Sequence, residues 1–260
     1  MTGRVALITG ASAGIGCEFA RIFARAGKRV ALVARRAERL QALADEIVAA
    51  GGQKPIVIAC DLSERDACAT ISAALAAEQV EVEYLVNNAG FGLFGEAVTL
   101  DCREQLEMSD VNVRALTELC LCFADQLVAA KGGILNVGSL AGFLPGPRMA
   151  VYYATKAYVL SFSEALHAEL APRGVRVTAL CPGPVPTEFQ SHAGFTPGVD
   201  SAVLGVSAAD VARAGFDGLM AGKRLVLPGL GMKIIPFLLR FVPRGVVLGL
   251  VSRVQGGRKS

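Results

Sequence analysis

The feature that most constrains this chain is an alternation. Short apolar runs rich in β-branched residues, such as RVALIT and RVALVA, sit between longer segments whose apolar residues recur with helical spacing. The pattern predicts strands at about 4–9, 29–34, 55–60, 83–87, 133–138, 175–181 and 224–228. It predicts helices at about 15–27, 37–50, 64–79, 101–130, 152–171 and 208–221. Strands joined through helices pair in parallel by right-handed crossovers, with helices on both faces of the sheet. The expected fold is therefore α/β, a doubly wound parallel sheet of about seven strands. Residues 1–228 form one domain on this reading, and 229–260 a hydrophobic, basic, helical tail. Ser63 with Asp66 and Ser207 with Asp210 look like N-terminal caps, and Gly27 and Gly174 fall where helices should end.

Composition agrees with a large buried core. Hydrophobic residues make up 53% of the chain and charged residues 19%, which excludes a disordered protein. The net charge of +3 is too small for a nucleic-acid binder. Two histidines leave no basis for a histidine metal cluster, and no metal is expected. The seven cysteines are odd in number and form no C-x-x-C pair, so they are expected to be free thiols in a reducing cytoplasm. No run approaches the length of a membrane span, and the N-terminus does not resemble a signal peptide.

The stretch TGASAGIG at 9–16 joins the first expected strand to the first helix. Its G-x-S-x-G register could present Ser12 as a hydrolase nucleophile, or its glycines could bring a helix N-terminus up to a phosphate. A hydrolase serine follows several strands and needs a later histidine. Ser12 follows the first strand, and the only histidines are His167, in a helical stretch, and His192, in a loop. A glycine turn after the first strand of a doubly wound sheet is where a dinucleotide's pyrophosphate belongs. Ser12 belongs to that cradle. A second feature points the same way: Tyr152 and Lys156 lie four apart at the start of a helix and share one face. Neighbouring Tyr153 has no lysine four residues on.

These segments, in this order and spacing, resemble the short-chain dehydrogenase/reductase family and its Rossmann-type fold. The resemblance runs from Arg4 to about Pro228. It rests on TGASAGIG at 9–16, Asp61 in CDLS, NNAG at 87–90, Asn112 in DVNV, Ser139 in NVGS, YYATK at 152–156 and PGPVPT at 182–187. The resemblance implies a catalytic set of Asn112, Ser139, Tyr152 and Lys156. Tyr152 would be the general acid and base, its pKa lowered by Lys156 and the oxidised nicotinamide. Ser139 would donate to the substrate oxygen, Lys156 would hold the nicotinamide ribose, and Asn112 would hold a relay water. Gly10, Gly14, Gly16 and the Ile15 amide would meet the pyrophosphate. Asp61 with Leu62 would meet the adenine, and Asn88, Ala89 and Gly90 the adenosine ribose. Pro182, Gly183, Val185 and Thr187 would fix the carboxamide.

An NAD enzyme would be expected to carry an acid at the end of the second strand; this chain has Ala34 followed by Arg35 and Arg36, with Ser12 nearby. Arginine suits a 2′-phosphate, so NADP(H) is the expected cofactor. The pocket should be apolar, lined by Phe91, Phe94, Phe143, Leu144, Met149, Phe189 and Phe195, with His192 in the same loop. A hydrophobic ketone, secondary alcohol or 3-oxoacyl group is the expected substrate. A catalytically idle nucleotide sensor or scaffold is the alternative, although the tyrosine, lysine and serine are all present. Family members commonly pair through the helices at 101–130 and 152–171, so a homodimer or homotetramer is expected. The tail leaves two readings. Residues 223–260 hold eight basic and no acidic residues, against 18 and 23 in residues 1–222. Lys233, Arg240 and Arg244 fall within about 40° of one another on a helix, and Pro243 and Gly245 should split the segment in two. The tail either packs over the substrate loop or a second subunit, or lies on an anionic membrane as a peripheral anchor.

Overall fold

In strand β1 (Gly3–Thr9), Val5 and Leu7 point to one side and Ala6 and Ile8 to the other, and all four are buried. A strand apolar on both faces needs cover on both. The computed structural model describes residues 3–189, 206–229, 234–239 and 241–256, and it sets β1 inside a seven-stranded sheet. The other strands are β2 (Arg29–Ala34), β3 (Ile56–Ala59), β4 (Val80–Asn87), β5 (Gly133–Val137), β6 (Arg176–Leu180) and β7 (Leu225–Val226). The order is β3-β2-β1-β4-β5-β6-β7, and every neighbouring pair is parallel.

Helices α1 (Gly14–Arg25), α2 (Ala37–Ala49) and α8 (Ala208–Met220) cover the face of Ala6 and Ile8. On α1, Phe19 and Phe23 lie one turn apart and fully buried, and Phe23 meets Phe216 edge-on at 5.0 Å. Helices α3 (Ala67–Ala77), α5 (Leu116–Cys122), α6 (Ala124–Ala130) and α7 (Ala150–Leu170) cover the face of Val5 and Leu7. The chain leaves β1 to build β2 and β3, then returns to place β4 on the opposite flank. That reversal opens a crevice beyond the ends of β1 and β4.

Two expectations are corrected. The stretch 101–130 is broken: α4 (Cys102–Ser109) runs into a π-helical turn, Asp110–Ala115, before α5, and α6 begins after Phe123. The π turn carries Asn112, whose side chain bonds outside its own helix, and wide turns of this kind recur where helices serve a site. Ser63 does not cap α3. Its amide and hydroxyl both donate to the Asp61 carboxylate, at 2.9 and 2.8 Å, and α3 starts behind Asp66 with no side-chain cap. Ser207 does cap α8, accepting the Asp210 amide at 3.1 Å. Beyond the sheet, α9 (Ile234–Leu238) and α10 (Arg244–Gly256) flank Pro243, and Lys233 and Arg240 lie outside the described residues. Among the described residues no helix is long and apolar enough to cross a membrane. All seven cysteines are free thiols.

The crevice is shaped where β1 ends. Thr9 Oγ1 accepts the amides of Asn88 and Ala89, at 3.0 and 3.1 Å, and donates to the Val86 carbonyl at 3.3 Å. Asn88 Nδ2 returns to the Thr9 and Gly10 carbonyls, at 2.9 and 3.3 Å. Gly16 sits under this knot; a Cβ there would press on the Gly10 carbonyl and lie 2.6 Å from Asn88 Nδ2. Gly16→Ala should therefore lower stability by about 1–3 kcal/mol through overpacking. The check is a drop in the urea midpoint without cofactor; an unchanged midpoint would mean the knot has slack.

Candidate active site

The knot leaves an open cradle above it. Gly10 and Gly14 adopt φ of +65° and +54°, a left-handed backbone that side chains rarely take. A Cβ on Gly10 would lie 2.8 Å from Asn88 Nδ2, and one on Gly14 3.1 Å from Thr187. Helix α1 starts at Gly14 with no side-chain cap and no acidic residue in its first turn. Its first amides are unpartnered within the helix and favour an anion. The Ser12 hydroxyl accepts from Arg36 and meets no histidine among the described residues; His167 bonds the Val177 carbonyl instead.

A cavity of about 730 Å³ runs from this cradle across the strand ends. Its wall contains Gly10, Ser12, Gly14, Ile15, Arg35, Arg36, Asp61, Leu62, Asn88, Ala89, Gly90, Ser139, Tyr152, Lys156, Pro182, Gly183, Val185 and Thr187. Of the catalytic and cofactor residues singled out from sequence, Gly16 and Asn112 stand behind the wall. Gly16 is the packing position already described. Asn112 Oδ1 accepts the Phe91 amide at 3.1 Å, and its Nδ2 donates to the Phe91 carbonyl and Thr155 Oγ1 at 2.9 and 3.1 Å. It ties the Phe91 loop to α7.

Ser139 lies two residues beyond the end of β5, and the first turns of α7 carry Tyr152 and Lys156. Ser139 is the polar side chain that acts on the Tyr152 hydroxyl, favouring its ionised form. Its ring packs against Phe189, with centroids 5.3 Å apart, among Phe94, Met108 and Met149. Burial pushes the phenol up to about 12, against the lowering effect of Ser139. The expected lowering by Lys156 is not found among the protein's own groups. Lys156 Nζ donates to the Val137 carbonyl at 2.8 Å and lies 5.8 Å from the Tyr152 ring centre. Burial in turn brings its ammonium down to about 8.

At the opposite pole the two arginines separate. Arg35 is 73% exposed and pairs with Asp61 at 3.7 Å. Burial raises the Asp61 carboxyl, but the Ser63 bonds and Arg35 outweigh it and hold the group below its ordinary range. Arg36 turns into the cradle, donating to Ser12 Oγ at 3.2 and 3.1 Å and to Glu188 at 2.9 Å. Arg39 donates to the other Glu188 oxygen at 2.6 Å. Thr9 and Thr155 stand inside the quoted motifs without an assigned role, and Arg39 and Glu188 had no motif to mark them; only the meeting of distant segments reveals what these four do.

The remaining wall is largely apolar: Phe91, Leu93, Leu140, Leu144, Met149 and Phe189, with Glu104 and Glu107 also on it. Two expected pocket residues point elsewhere. Phe143 packs on Leu160, Ala179 and Cys181, and Phe94 is buried beneath the Arg148 guanidinium, 4.4 Å from its ring centre. His192 and Phe195 lie outside the described residues.

The family model for short chain dehydrogenases matches residues 4–195. A short chain dehydrogenase of Pseudocercospora fijiensis is 40% identical over 194 residues, which is 73% of this chain and 62% of that protein. The short-chain dehydrogenase of Sphingobium yanoikuyae in complex with NADPH superposes with a TM-score of 0.81 at 32% identity, covering 96% of this chain and 95% of that one. The Brucella melitensis 3-ketoacyl-(acyl-carrier-protein) reductase complexed with NADH gives 0.78 at 31%, covering 88% and 98%. A chain matched by the family model across most of its length, and sharing the fold of its members nearly throughout, belongs to the short-chain dehydrogenase/reductase family of oxidoreductases.

Proposed function

We propose that this chain is an NADP(H)-dependent oxidoreductase that interconverts a hydrophobic ketone or 3-oxoacyl group and its secondary alcohol, with Tyr152 as general acid and base. The observation that carries this reading is Tyr152, buried against apolar side chains and sharing one cavity wall with Ser139 and Lys156. The dinucleotide, when bound, supplies or accepts the hydride. The chain binds it at the α1 N-terminus through Gly10, Gly14 and Ile15, at its adenosine end through Asp61, Leu62 and the 88–90 turn, and at its carboxamide through 182–187.

In carbonyl reduction, Tyr152 donates its proton to the substrate oxygen and Ser139 donates a hydrogen bond to the same atom. A phenol raised to about 12 stays protonated at neutral pH, which suits the acid role. In alcohol oxidation the same group must lose that proton first, so the reverse reaction needs added positive charge beside it or a higher pH. Lys156 has three N–H donors; one is spent on Val137, which leaves two for ribose hydroxyls. With its pKa brought to about 8, Lys156 also exchanges protons near neutrality. Asn112 has its side-chain groups on Phe91 and Thr155, which makes it a positioning residue for the Phe91 loop and α7.

Cofactor choice rests on this chain's own residues, because the two structural relatives are described with NADPH and with NADH. Ala34 leaves no acid to hold a 2′-hydroxyl, and Arg36 beside Ser12 offers donors to a 2′-phosphate, with Arg35 at the rim. The apolar wall favours a hydrophobic substrate. Leu106, Leu121 and Tyr158 are exposed on α4, α5 and α7, and these helices form the proposed homo-oligomer contact.

Tyr152→Phe should cut turnover by about 10²- to 10⁴-fold while NADPH binding stays near wild type. Tyr153→Phe should cost far less. Steady-state rates with a panel of hydrophobic ketones, beside NADPH titrations, separate the two, and equal losses would remove Tyr152 from its role. Arg36→Ala should weaken NADPH about ten- to a hundred-fold, the worth of one charge-assisted contact, and barely alter NADH. Parallel fluorescence titrations with the two cofactors check this; equal losses would make Arg36 structural.

A further inference from the structure

We propose that helices α9 and α10 seat the protein on an anionic lipid surface. Helix α10 carries two apolar stripes. Val247, Val251 and Gln255, spaced four apart, face the domain, and Gln255 Nε2 donates to the Tyr153 hydroxyl at 2.9 Å while its carbonyl accepts from Arg148 at 3.3 Å. The second stripe, Val246, Leu250 and Val254, lies about 100° round the helix and is exposed. On and beside α9, Phe237 and Phe241 meet edge-on at 5.3 Å with both rings exposed, next to exposed Ile234 and Leu238. Together with Leu248, these eight residues are 45–72% exposed, and they are eight of the thirteen exposed large hydrophobic residues among those described.

Charge selects the occupant. Residues 223–260 hold eight basic and no acidic side chains, and Arg244 and Arg253 are exposed on α10 itself. A twofold pairing of this face on itself would oppose like charges, whereas an anionic bilayer matches both its apolar stripe and its sign. The helices have 5 and 13 residues, too short to cross, so they lie in the interface. Tyr153 borders the cavity, so α10 brings that surface beside the pocket mouth. An apolar substrate could then enter from the lipid side, although the docking itself does not depend on the substrate.

The test is sedimentation of the full chain with vesicles. It should pellet with phosphatidylserine-containing vesicles at low salt, not with pure phosphatidylcholine, and should leave them at high salt. A basic residue near such a surface is worth about five-fold in partitioning. Arg244→Gln with Arg253→Gln should therefore weaken it about thirty-fold, and Phe237→Ser with Phe241→Ser should abolish it while NADPH binding is retained. A full chain that stays in the supernatant at low salt overturns the proposal. So does a soluble dimer that the phenylalanine substitutions split, which would make a second copy the partner.

Glu188 carries an independent inference, which rests on the NADP reading above. Its two oxygens hold Arg36 and Arg39, and Arg36 is the same guanidinium that reaches Ser12 in the cradle. A carboxylate and a phosphate compete for such donors on similar terms. The next residue, Phe189, packs on Tyr152. We infer that Glu188 determines cofactor specificity: a 2′-phosphate takes Arg36 from it and frees the segment that carries Phe189, and a cofactor without that phosphate does not. Glu188→Gln should tighten NADPH and adenosine 2′,5′-bisphosphate about ten-fold and leave NADH nearly unchanged. Unchanged or weaker bisphosphate binding, in a protein whose wild type prefers NADPH, overturns the role of Glu188 alone. A wild type with no preference for NADPH overturns the cofactor reading and this inference together.

Discussion

The site depends on one close approach, between the end of β1 and the turn after β4. Thr9, Gly10, Gly16 and Asn88 make it, with the Thr9 hydroxyl and the Asn88 amide satisfying backbone groups that the diverging strands leave open. Buried backbone amides and carbonyls without partners are costly, so the knot is closed by side chains wherever the sheet cannot close it. Because Gly16 lets α1 press onto this knot, the helix N-terminus is delivered to the mouth of the crevice. Every other group in the cavity is positioned relative to that edge.

Burial then sets the chemistry at the far end. Tyr152 and Lys156 lie on one face of α7, and the low-dielectric setting favours the neutral form of each. The phenol keeps its proton and the ammonium holds its own less firmly. Their separation matters as much as their burial. Lys156 is turned to Val137 and its nitrogen lies 5.8 Å from the Tyr152 ring centre. Asn112 serves the arrangement from behind, fixing the Phe91 loop against Thr155.

The adenosine pole works in the opposite regime. Arg35, Arg36, Arg39, Asp61 and Glu188 are exposed or half-exposed, and their pairs are open to solvent and salt. Such contacts exchange partners at small cost, which suits a seat that must accept and release a charged cofactor. A buried tyrosine–lysine pair and a solvent-open ionic rim thus share one cavity.

What the sequence determined was whatever depends on local spacing. The short β-branched apolar runs and the helical periodicity placed the seven strands and the helices that cover them, because each element's apolar pattern is a property of consecutive residues. The TGASAGIG turn and the Tyr152–Lys156 pair were legible for the same reason: their geometry is set within one turn or one helix. Tertiary structure decided the rest. The π turn at Asn112 follows from bonds to Phe91 and Thr155, 21 and 43 residues away, which no helical pattern in 101–130 can announce. Ser63 went to Asp61 and not to a helix cap because the carboxylate stands beside it in the folded turn. Arg36 was separated from Arg35 by Ser12 and Glu188, the latter 152 residues on. Phe143 left the pocket for a core formed by α7 and β6. In each case the partner is distant in sequence, and the competition between local propensity and that distant contact is resolved only when the chain is packed.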